Sequence, residues 1–107
     1  MAGRFDLPEG LLEDVKNCLD ITWDNEATDR KMTDFIAQGM AWLNKKLGIE
    51  ADYTADGDPR TLLMEFVRYR RDEALDVFEN NYRSMILGAQ HDLEVKRYVE
   101  GTRQTEG

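Results

Sequence analysis

The sequence predicts an all-α fold, a small bundle of three main helices with a short fourth helix and a flexible C-terminal arm. Two observations lead there. Apolar residues recur at three-to-four spacing along successive stretches, the periodicity of helices that bury one face. Between those stretches stand residues that start and stop helices, chiefly Asp58-Pro59, Gly48 and Asn80-Asn81. A length of 107 residues, with 41% hydrophobic and 34% charged residues, fits one soluble domain with a modest core. That domain is expected over residues 1–99, followed by a disordered tail at 100–107.

A few mobile residues are expected to precede the first helix, from about Leu7 to Leu19. Asp6 and Glu9 have the spacing of a capping box, and Leu11, Leu12, Val15, Cys18 and Leu19 form an apolar side. In Asp20-Ile21-Thr22-Trp23-Asp24, a tight connection, Ile21 and Trp23 are expected to plug the joint and Thr22 or Asp24 to cap the second helix. That helix runs from about Asn25 to Leu47 on Met32, Phe35, Ile36, Gly39, Met40, Leu43 and Leu47. Trp42 lies on its flank, Lys45 and Lys46 in its last turn, and Gly48 at its stop. Gly39 inside the apolar stripe marks close approach by another helix.

The segment Ile49–Asp58, IEADYTADGD, reads as an exposed acidic loop. It lacks the twelve-residue pattern and final glutamate of a calcium loop. A central helix comes next over Pro59–Glu79, with Asp58 as cap, Pro59 at the first position, and Leu62, Leu63, Phe66, Val67, Ala74, Leu75, Val77 and Phe78 on its buried side. Asn80-Asn81 breaks or kinks the chain. Tyr82, Met85, Ile86 and Leu87 then form a short helix weakened at Gly88, and the Leu93, Val95, Val99 spacing fits a strand or arm as well as a helix.

Net charge of −8 and a pI near 4.6 argue against gripping nucleic acid, which requires a basic surface. Cys18 is the sole cysteine, which excludes an internal disulfide and suggests a small core residue in a reducing compartment. No apolar run approaches a membrane span, and the N-terminus has no signal-peptide pattern, so the chain is expected in the cytoplasm. His91 is the only histidine, and phosphate-binding glycine motifs are absent. No catalytic, cofactor-binding or metal-binding residues are assigned, and the chain is not expected to be an enzyme. Arg70 interrupts the central apolar stripe within Arg68-Tyr69-Arg70-Arg71. A guanidinium there either snorkels to the domain edge or meets carboxylates of a neighbouring copy.

Three blocks occur in order: a short helix ending in Leu19-Asp20-Ile21-Thr22-Trp23-Asp24, a long helix with Ile36, Gly39 and Leu43 before a stop glycine, and PRTLLMEFVRYRRDEALDVFENNYRSMI with Phe78, Asn80 and Tyr82 near its end. From about Leu11 to Leu87 the chain resembles the head-tail connector family of tailed bacteriophages, also described as DNA-packaging or head-completion proteins. That resemblance implies a helical structural protein without cofactor. It would form a ring, usually dodecameric, that docks beneath the portal protein and carries the tail or its stopper protein.

DNA would pass through the ring without specific binding, an acidic wall repelling its phosphates. The protein would form in the host bacterial cytoplasm and end at the virion head-tail junction, with no membrane partner. On this reading Arg68, Arg70 and Arg71 are candidates to pair with Glu50, Asp52, Asp56 or Asp58 of the adjacent subunit. Leu93, Val95, Tyr98 and Val99 are candidates for an arm that orders against the portal. Two alternatives belong to other classes: an acidic DNA mimic, and a small phage adaptor that binds another protein.

Overall fold

A computed structural model describes the backbone of residues 7–22 and 25–106, and side chains up to Lys96. Five helices occur in order: α1 (Leu11–Cys18), α2 (Glu26–Leu47), α3 (Asp58–Arg71), α4 (Leu75–Asn81) and α5 (Arg83–Glu106). Among the described residues there is no strand, and the all-α class expected from periodicity holds. Asp6, Trp23 and Asp24, to which the sequence assigns capping and joint-filling roles, lie outside the described residues, as do the side chains of Tyr98 and Val99.

α1 is shorter than expected because Gly10 at its N-cap takes a left-handed conformation, φ 82°, and the helix starts only after it. At its other end the Ile21 N–H donates to the Lys16 carbonyl and the Asp20 N–H to Asn17, with Asp20 at φ 60°. These paired bonds close the helix and reverse the chain. Asn25, rather than Thr22 or Asp24, caps α2, its side chain accepting from the Thr28 N–H at 3.1 Å. Gly48 ends α2 in the left-handed conformation the sequence requires of it.

α2 and α3 form the spine. Phe35 meets Arg70, while Gly39 faces Leu63 and Phe66, so the two helices run antiparallel. A Cβ at Gly39 would stand 2.8 Å from both Leu63 Cδ1 and Phe66 Cδ1, which explains the glycine as a point of close helix approach. α5 lies against both α2 and α3 through Ile86, Ala89 and the partly buried Leu93. Around Phe78, which is 1% exposed, rings of Trp42, Phe66, Tyr69 and Tyr82 stand 5.2–5.7 Å from its centroid, mostly edge to face.

The central helix is two helices. After Arg71 the Glu73 N–H donates to the Arg70 carbonyl and the Ala74 N–H to Tyr69, with Glu73 at φ 58°. The turn lets Phe78 swing into the aromatic cluster, and Val77, expected on the buried side, is exposed. Asp58 is the first residue of α3 rather than its cap. The cap position belongs to Gly57 at φ 148°, a conformation that side chains disfavour. α5 is likewise one continuous helix through Gly88 to Glu106, where the spacing also allows a short helix and a strand-like arm.

Candidate functional site

The residues proposed for a subunit contact fall at opposite ends of α3. The acidic loop enters its N-terminus, and Arg68, Arg70 and Arg71 occupy its last turns. At about 1.5 Å per residue, Asp58 and Arg70 lie on the order of 18 Å apart along the axis. The loop and the arginines of one chain therefore do not pair with each other.

The loop is anchored by a residue that periodicity does not single out. Tyr53 is 1% exposed, and its hydroxyl donates to Asn44 Oδ1 at 2.7 Å. Asn44 Oδ1 also accepts from the Ala51 N–H at 3.1 Å, so one α2 side chain holds the first half of the loop at two points. Burial pushes the Tyr53 hydroxyl up to about 12. Asp52 closes its own turn, accepting from the Thr54 hydroxyl and from the Thr54 N–H at 2.9 Å, and these bonds lower its pKa. Glu50, Asp56 and Asp58 are exposed and have no side-chain partner among the described residues. Nearby Arg60 is not available to them: it donates to the Tyr53 carbonyl and to Asp14 Oδ2, both at 3.1 Å.

At the other end, helical spacing divides the arginines. Arg68 and Arg71 face α1: Arg68 bonds Glu65 at 3.4 Å and approaches Cys18 Sγ at 3.8 Å, and Arg71 donates to the Leu19 carbonyl at 3.2 Å. The neighbouring Glu65 carboxylate raises the Arg68 pKa, and Glu65 also accepts from the Tyr82 hydroxyl at 2.9 Å. Arg70 faces α2 instead. It lies over the Phe35 ring, 4.6 Å from its centroid, and its Nε donates to Gln38 Oε1 at 3.3 Å. Its two terminal nitrogens have no partner among the described residues.

Cys18 is exposed, not a core residue. Lys16, on another side of α1, is the buried polar residue of this helix, 2% exposed and paired with Asp29 at 2.8 Å. Of the expected arm residues, Leu93 is partly buried against the core and Val95 is 48% exposed. A groove of about 290 Å³ runs between the start of α3 and α5, lined by Gly57, Asp58, Pro59, Ala89, Asp92 and Leu93. Among the described residues, no helix is long and apolar enough to cross a membrane and no three His, Cys, Asp or Glu are placed to hold a metal ion. Comparison of the chain with known protein families, with curated proteins and with solved structures found no match.

Proposed function

We propose that the chain is a head-tail connector, or head-completion, subunit of a tailed phage or prophage. It acts structurally, as one member of a ring, dodecameric in the virion, that sits under the portal and receives the tail or stopper protein. The observation that carries this reading is the polarity of α3, which has unpaired carboxylates at its entry and the open fork of Arg70 near its exit. Complementary patches at two separate places on one subunit favour a head-to-tail contact, which closes into a ring when the rotation allows. The order of the three sequence blocks supports the same reading, and the acidic balance suits a passage that confines DNA without holding it.

Mixing the protein with the purified portal of the phage that encodes it, then imaging by negative stain, tests the proposal. A second ring stacked on the portal is expected. Portal particles unchanged by a large excess of the chain would overturn it.

A further inference from the structure

The groove between α3 and α5 has an apolar floor of Pro59, Ala89 and Leu93, with the Asp58 and Asp92 carboxylates among its lining. Both carboxylates are exposed and neither has a partner among the described residues. The cation closest in sequence, Arg60, turns away to Asp14 and the Tyr53 carbonyl. Gly57 contributes no side chain to the mouth, and Asp58 at the first helical position already offsets the partial positive charge of the α3 N-terminus. A guanidinium matches the polar part of this combination, because its planar fork can meet two carboxylates.

We infer that this groove receives Arg70 of a second copy of the chain. The inference rests on the ring proposed above and assigns the acidic half of its contact. The charge complement lies on the same helix, about 18 Å along α3 by its rise per residue. Phe35 lies beneath the Arg70 guanidinium and Gln38 accepts from its Nε, while the terminal nitrogens stay open. Each subunit then supplies one arginine and one groove, and no groove is filled from within its own chain. Asp92, absent from the acids that sequence reasoning selects, becomes a binding residue alongside Asp58.

The test uses the full chain with Cys18→Ser, carrying Arg70→Cys and Asp92→Cys together or singly, treated with a short bismaleimide under conditions in which light scattering reports the ring. The expected result is a ladder of covalent multimers from the double variant and none from the singles. A second arm compares Asp92→Arg, expected to weaken subunit association about tenfold or more, with Asp92→Arg combined with Arg70→Asp, expected to regain it. A ring that gives no ladder and tolerates Asp92→Arg would overturn the groove assignment and leave the connector reading standing. Failure of the parent chain to form any ring, alone or on the portal, would overturn both.

Discussion

Glu73 and Asp20 hold left-handed backbone at the ends of α3 and α1, at φ 58° and 60°. An L residue there gives up about 1–2 kcal/mol, part of which glycine returns through its greater freedom when unfolded. Glu73→Gly should therefore raise stability by about 1 kcal/mol, read as a higher urea midpoint at unchanged slope. At Gly39 the sign reverses. Alanine gains about 1 kcal/mol of helix propensity but drives a methyl into Leu63 and Phe66, and overpacking of that kind costs about 1–3 kcal/mol. Gly39→Ala should be destabilising on balance, by about 1 kcal/mol in thermal or urea unfolding. The Tyr53 hydroxyl gives a pH signature. Burial raises it to about 12 when folded, against about 10 unfolded. Its stabilisation is complete below pH 10 and declines as pH rises from about 10 to 12. Tyr53→Phe should lose about 1 kcal/mol at neutral pH with its hydrogen bond, and should show a shallower alkaline decline. Tyr82, also raised to about 12 by burial and then by Glu65, keeps part of that decline in place. Gly39 is legible in the sequence because a glycine inside an apolar stripe asks for a neighbour. Tyr53 is not, because a buried residue in a loop has no periodicity, and Cys18 misleads because it lies at the edge of the α1 apolar stripe, where the fold leaves it exposed.

Among the elements, α2 is the most legible in sequence, since its stripe, terminal lysines and stop glycine all agree. The α3–α4 break is invisible there: no glycine or proline marks it, and a glutamate occupies the turn position that glycine usually fills. What enforces the break is tertiary, the seating of Phe78 among Trp42, Phe66, Tyr69 and Tyr82. Phe78→Ala should accordingly cost about 3–5 kcal/mol, measured by urea unfolding. In α5 the sequence leaves strand, arm and helix open. Gly88 and the wide spacing of Leu93, Val95 and Val99 suggest an interruption, yet the core needs only Ile86, Ala89 and Leu93, which share one helical face. Gly88 is exposed, and a methyl group added there would meet nothing within 4 Å. Gly88→Ala should therefore stabilise the protein by about 0.8–1 kcal/mol, visible as a higher thermal midpoint with unchanged quaternary state.

For the whole molecule, the helical bundle is readable from periodicity, whereas the contact surface is readable only as charge. Sequence reasoning places Arg68, Arg70 and Arg71 together, but a helix points consecutive residues in different directions, and the fold gives Arg68 and Arg71 to α1. Of these three, only Arg70 has both terminal nitrogens without a partner among the described residues, and Asp92 joins the acids only because α5 lies beside the start of α3. A contact of this kind is made of partly exposed charges and is weakened by salt. The measurement that bears most directly on the connector assignment is light scattering behind size exclusion, over a range of protein and salt concentrations, with and without the cognate portal. A closed ring is expected, alone or on the portal, with assembly falling as salt rises and after Arg70→Glu. A monomer that ignores the portal under every condition would contradict the assignment.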